Sequence, residues 1–279
     1  MPILAEPLPV QVKNLEDLKQ AMAAPTWFDT LQAQATWLPD LVASLPWQTK
    51  LSEHILLHYY IDVQDETDAC FASLVNEMEQ IYGELHAFFQ ITAKTKQEQL
   101  LVQTRLIFFF IKTHTGRVFG SLTDPHLILY FWDTKHQPDY LQKIRHEMAH
   151  WVWSRLYGEA PALFQEGVAI LAEERSSPKA KVSFFVADCP RTIDEIPPLT
   201  DLAFNENFWR HKTPYGVGGQ LVDYLVQRWG WSPLKRLFLL SAYEDVAILT
   251  HFAQIYGQSL NIIDAEWRTF LKQKRLWDN

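Results

Sequence analysis

The stretch from Ile144 to Glu174, IRHEMAHWVWSRLYGEAPALFQEGVAILAEE, constrains the fold more than any other part of the chain. His146 and His150 are four residues apart, so on a helix their side chains are neighbours on one face, near enough for both imidazoles to reach a single ion. The helix can run to Tyr157, where Gly158 supplies a left-handed stop. Pro161 stands just before a new apolar run, as proline does near a first helical turn. The spacing therefore predicts two helices joined by a tight hairpin. On the second helix Glu166 comes back beside the first and offers a carboxylate oxygen as a third ligand.

Glu147, one step round the helix from His146, can lean toward a water on such an ion without joining its coordination shell, which is the HExxH arrangement. Two histidines, one glutamate and one water make an open catalytic zinc site. Glu173 lies two turns beyond Glu166 on the same face, placed to accept a hydrogen bond from the free nitrogen of a ligating histidine, with Glu174 as its competitor. The bland alternative is an ordinary helix whose histidines meet backbone or water.

The rest of the chain supplies a frame for this hairpin. EHILLHYYIDV, residues 53–63, reads as a strand, and the three-four spacing of Phe71, Leu74, Val75, Met78, Ile81, Tyr82 and Leu85 predicts a long amphipathic helix after it. LLVQTRLIFFFIK and HLILYFWD read as two further strands, joined by the turn-rich THTGRVFGSLTDP. Residues 175–201 read as a connection with little regular structure. Beyond them PYGVGGQLVDYLVQRWG, SPLKRLFLLSAY, DVAILTHFAQIYG and DAEWRTFLKQKRL each show helical spacing. Gly216, Gly218 and Gly219 are not preceded by a strand or followed by a Lys-Ser/Thr pair, so they predict close helix packing and not a phosphate loop. Trp151, Trp153, Trp209, Trp229, Trp231 and Trp267 fall within helical segments and are expected to be core or packing residues, not a ligand cage.

The expected class is α+β: a small mixed β-sheet with the HExxH helix, then an all-helical C-terminal subdomain. Its divisions are a helical extension at 1–50, an α/β subdomain with both active-site helices at 51–175, and a mainly helical subdomain at 176–279. With 25 Lys and Arg against 33 Asp and Glu, a net charge of -8 and no basic cluster, nucleic acid is a poor partner. No segment approaches 18 consecutive apolar residues and no cleavable signal precedes residue 20, so a cytoplasmic protein without membrane partners is expected. Cys70 and Cys189 lack metal-finger spacing and are expected to be buried thiols.

HExxH followed by FQEGVA resembles the gluzincin zinc metallopeptidases, the clan of thermolysin and the zinc aminopeptidases, and the similarity extends over about residues 50–275. The resemblance implies a zincin-like fold, one Zn2+ held by His146, His150 and Glu166, Glu147 as general acid/base, and a peptide or protein substrate. It implies Tyr215 as hydrogen-bond donor to the developing oxyanion, with His211 as second candidate, and a substrate strand added along a sheet edge supplied by HLILYFWD. The spacing from His150 to Glu166 is shorter than in the best-known members, and the Gly-x-Met-x-Asn motif of the aminopeptidases is missing. A non-catalytic protein that uses the cleft or the N-terminal extension to hold a partner is the rival from another class. A zinc hydrolase of some non-peptide amide is a third reading. Oligomeric state is not legible.

Overall fold

The computed structural model describes residues 45–61, 69–112, 119–124, 127–132, 140–176, 192–211, 214–243 and 245–273. The fold is mixed α+β, and the chain divides into two compact units: Met1–Val75 with Leu106–Tyr140, and Asn76–Arg105 with Leu141–Asn279. This division differs from boundaries at 50 and 175, because the HExxH helix groups with the helices that follow it and not with the strands that precede it.

The first unit carries a five-stranded sheet in the order β1-β2-β3-β5-β4, with β1 Gln48–Leu51, β2 Ile55–Ile61, β3 Leu106–Lys112, β4 Phe119–Asp124 and β5 Leu127–Trp132. The inner pairs β2/β3 and β3/β5 are parallel and the outer pairs antiparallel, so the sheet is mixed. Alternation places Ile55, Leu57 and Tyr59 on the buried face of β2, in register with Leu106, Phe108 and Phe110 of β3. On the other face Phe109 stacks on His58 at 4.7 Å and meets Trp47 edge-on at 5.0 Å.

Three expectations are corrected here. β5 lies between β3 and β4, so HLILYFWD is not an edge; among the described strands β4 and β1 are the edges. β4 falls inside the stretch read as a turn-rich connection, because Gly120 and Asp124 are poor strand formers and the strand is held by backbone pairing to β5. Leu100 to Gln103 end a helix and do not begin a strand. The helix, Lys96–Gln103, starts at a capping box in which the Thr95 hydroxyl accepts from Glu98 N–H and the Glu98 carboxylate accepts from Thr95 N–H. The reading of 1–50 as a helical extension falls mostly on residues 1–44, outside the described residues, and Gln48 is already in β1. The side chains of Cys70 and Cys189 and most of the 175–201 connection also lie outside them.

The helices are α1 Ala69–Phe88, α2 Lys96–Gln103, α3 Tyr140–Tyr157, α4 Ala162–Arg175, α5 Leu199–Leu202, α6 Asn205–Arg210, α7 Pro214–Trp229, α8 Trp231–Leu240, α9 Ile248–Tyr256 and α10 Leu260–Gln273. In the second unit Phe89, Trp153, Trp231 and Phe238 form one aromatic core, with Trp153 4.9 Å from Phe89, 5.3 Å from Trp231 and 5.4 Å from Phe238. Trp151 and Trp267 are fully buried, as core residues, and Trp209, 37% exposed, is a packing residue that meets Phe208 edge-on at 4.9 Å. Helices α4 and α7 cross at glycines. A Cβ on Gly167 would stand 2.5 Å from Gly218 O, and one on Gly218 would stand 2.6 Å from Leu163 O. No side chain fits between these backbones. Among the described residues no helix is long and apolar enough to cross a membrane.

Candidate metal centre

α3 brings His146 and His150 to one face, and the chain then reverses within four residues. Gly158 ends α3 in the left-handed region at φ +82°, with its N–H on Ser154 O at 2.9 Å. Pro161 is the N-cap of α4 and has no capping side chain. A remote residue supplies the cap: Asn205 Oδ1 accepts from Ala162 N–H at 2.6 Å, while Asn205 Nδ2 donates to Tyr243 O at 2.8 Å. Gln165 braces the turn, donating to Ser154 Oγ at 3.1 Å and accepting from Ala160 N–H at 3.2 Å. Glu166, one residue before the Gly167 crossing, is thereby set against the two histidines.

His146 Nε2, His150 Nε2 and Glu166 Oε2 lie 3.2 Å from one another in all three pairs. Such a triangle is one face of a tetrahedron whose centre is about 2.0 Å from each corner, the ordinary length of a zinc–nitrogen or zinc–oxygen bond. The side chains are mostly buried, at 8%, 11% and 14% exposure. The donor set fits zinc, and among the described residues these three form a group able to hold a metal ion.

Electrostatics around the triangle call for positive charge at its centre. Burial alone would push His146 down, but its hydrogen bonds to Glu166 and Glu173 push it up, to about 10. Burial would raise Glu166, yet the adjoining His150 and His146 hold it well below the usual carboxylate range. Glu147 is raised, chiefly by burial and in part by Glu166, with His146, His150 and Lys143 pulling the other way. That puts Glu147 within the field of the same cluster.

Glu173 is fully buried, and its Oε2 accepts from His146 Nδ1 at 3.0 Å. Burial would raise it, but His146 and Lys143 hold it low. Glu174 is buried as well, but it is Glu173 that meets His146. Tyr215, in the first turn of α7, has its ring 6.5 Å from that of His146 and is flanked by Phe208 at 6.0 Å and Trp209 at 5.9 Å. His211 is exposed at the end of α6.

Two residues at the site escaped the sequence reading. Lys143, three residues before His146, donates to Glu173 Oε1 at 3.1 Å; the i, i+3 spacing was a usable signal. Asn205 reaches its cap from 43 residues away and left no local trace. In comparisons with known proteins, the chain matches no family model and no curated protein.

Proposed function

We propose that the chain is a zinc-dependent metallopeptidase with a zincin-like, gluzincin-type site. The observation that carries this reading is the triangle of His146 Nε2, His150 Nε2 and Glu166 Oε2 at 3.2 Å, with Glu147 on the next residue of the same helix. A zinc ion held there supplies Lewis acidity toward an amide carbonyl and acidifies water. Glu147 accepts the proton of the attacking water and returns it to the leaving amine, for which a half-buried carboxylate with a raised pKa is suited. Glu173 keeps the Nδ1 proton of His146, so that Nε2 presents its lone pair to the ion. Tyr215, beside His146, is the proposed donor to the charge that develops on the carbonyl oxygen. The substrate class is a peptide or protein.

Retention of Glu147 favours an enzyme over a module that only binds a partner, because metal binding has no use for that residue. The test is metal content and cleavage of a mixed peptide library for the wild type and Glu147→Gln. The wild type is expected to hold one zinc ion per chain and to cleave. Glu147→Gln is expected to keep the ion and lose roughly 10²–10⁴-fold in rate. A carefully prepared wild type without stoichiometric zinc overturns the reading, and zinc without cleavage leaves the binding module in its place.

A further inference from the structure

We propose that Lys143 is a positioning residue of the metal centre, a role that rests on the zinc reading above: it fixes the carboxylate of Glu173 so that His146 keeps its Nε2 lone pair toward the ion. Lys143 and His146 stand three residues apart on α3, hence on one face, and both point to Glu173 on α4. The ammonium spans the carboxylate, 3.1 Å from Oε1 and 3.4 Å from Oε2, while His146 Nδ1 takes Oε2 at 3.0 Å. Among the described residues these are the hydrogen-bond partners of Glu173, a side chain with no exposure to water.

The arrangement needs both. A carboxylate can rotate about its last bond, and one donor on one oxygen does not stop it. The charge-assisted contact from Lys143 to the two oxygens sets the carboxylate plane and neutralises an anion that water cannot reach. With that plane fixed, Oε2 faces Nδ1 and the imidazole has one orientation and one tautomer. The ring nitrogen left over, Nε2, then lies 3.2 Å from both His150 Nε2 and Glu166 Oε2. The hydrogen bonds of the Lys143 ammonium to both oxygens of Glu173 give it a route to His146 through that carboxylate.

The test measures zinc dissociation constants by competition with a chromophoric chelator at one pH, for the wild type, Lys143→Met, Lys143→Arg, Glu173→Gln and the double variant Lys143→Met/Glu173→Gln. Thermal melts confirm that each is folded. Loss of an outer partner of a metal ligand weakens binding about 10–100-fold, and Lys143→Met, one step further out, is expected near the lower figure. Lys143→Arg restores most of the affinity. In the Glu173→Gln background the Lys143→Met change has no further effect, because its route to the ion is gone. Unchanged zinc affinity in a folded Lys143→Met, or the same loss in both backgrounds, overturns the positioning role and leaves the zinc site standing. If Lys143→Met does not fold, Lys143→Gln, a neutral donor, is expected to show a smaller loss, and wild-type affinity there overturns the role. Absence of zinc binding by the wild type overturns the zinc reading itself and this inference with it.

Discussion

Asp264 on α10 and Glu166 on α4 are both largely buried carboxylates of the helical unit, yet one is complete within the protein and the other is not. Asp264 Oδ2 accepts from Leu199 N–H at 3.1 Å and Oδ1 from Arg268 Nε at 2.6 Å. The same guanidinium donates to Ile193 O at 2.7 Å, Ile196 O at 3.0 Å and Pro197 O at 2.9 Å. Every partner has the opposite role and the charges cancel, so the network has nothing to ask of a ligand. At Glu166 an anionic oxygen and two imidazole nitrogens point at one spot, and only a proton or a cation there satisfies them. A closed network ties the 193–199 segment down, and an open one is what a binding site requires.

Removing one corner of the open network is the change expected to have the largest effect. If the triangle holds zinc as proposed, losing a corner should cost more than the roughly 100-fold lost with a hydrogen-bond partner of a ligand, so His150→Ala and Glu166→Gln are each expected to weaken binding by more than about 100-fold. Asp264→Asn in the closed network should leave the zinc dissociation constant unchanged. Equal loss from Asp264→Asn would erase the distinction between the two clusters.

Metal removal combined with pH probes the demand for positive charge. Without metal, His146 is raised from 6.5 to about 10, so its stabilising proton is fully in place below pH 6.5 and is lost as the pH climbs through about 10. Glu166 and Glu173 are lowered from 4.5, so their contribution is present above pH 4.5 and is lost on acidification. The cluster is thus most stabilising between these limits. The slope on the alkaline side cannot exceed about 1.4 kcal/mol per pH unit for one proton. Melting of chelator-treated protein should fall from pH 6.5 toward pH 9, while zinc affinity rises over the same range because proton and ion compete for Nε2. A flat melting temperature without metal would contradict the proton-holding role of the two carboxylates.

The crossing of α4 and α7 separates the clusters by a third route. Gly218→Ala forces a Cβ to 2.6 Å from Leu163 O, a backbone atom that cannot swing away. The expected destabilisation is about 1–3 kcal/mol. Because Gly167, the partner in this crossing, adjoins Glu166, zinc affinity should drop with it. Chemical denaturation and chelator competition on the same variant read both, and a loss of stability with full zinc affinity would uncouple the crossing from the site.

The open cluster was legible because its signals are local. Histidines at i and i+4, Gly158 as a stop, Pro161 as a start and Glu173 two turns past Glu166 all lie in one stretch of chain. Lys143 was equally local but reads as one more solvated lysine unless its partner is known. In the closed cluster the Asp264–Arg268 pair is a local i, i+4 spacing that reads as one more surface ion pair, while its backbone partners lie 65 to 75 positions away and left no pattern to find. Nor did the Asn205 cap. In the sheet, apolar β2, β3 and β5 were visible, while polar β1 and β4 were missed because edge strands depend on backbone pairing more than on side-chain burial. Leu100, Leu101 and Val102 imitated a strand, although the Thr95–Glu98 box marks a helix start.

Arg268→Lys is expected to have the smallest effect and discriminates most finely between the two networks. Lysine keeps the charge beside Asp264 but not the planar fork that reaches three carbonyls and a carboxylate at once. An ammonium has three donors without fixed directions, so one or two of the carbonyl contacts are lost, and each such contact to a charged group is worth about 1.5–3 kcal/mol at most. Water can reach the partly exposed rim of this network and replace part of that, leaving a net loss of about 1 kcal/mol. Faster proteolysis or hydrogen exchange confined to residues 192–199 is the expected signature, with zinc affinity unchanged. At Lys143 the reverse exchange, Lys143→Arg, is expected to be tolerated, because a guanidinium keeps the charge and can still span both oxygens of one carboxylate. If Arg268→Lys is silent while Lys143→Arg is damaging, the closed network is held by charge and the open one by shape, and the comparison inverts.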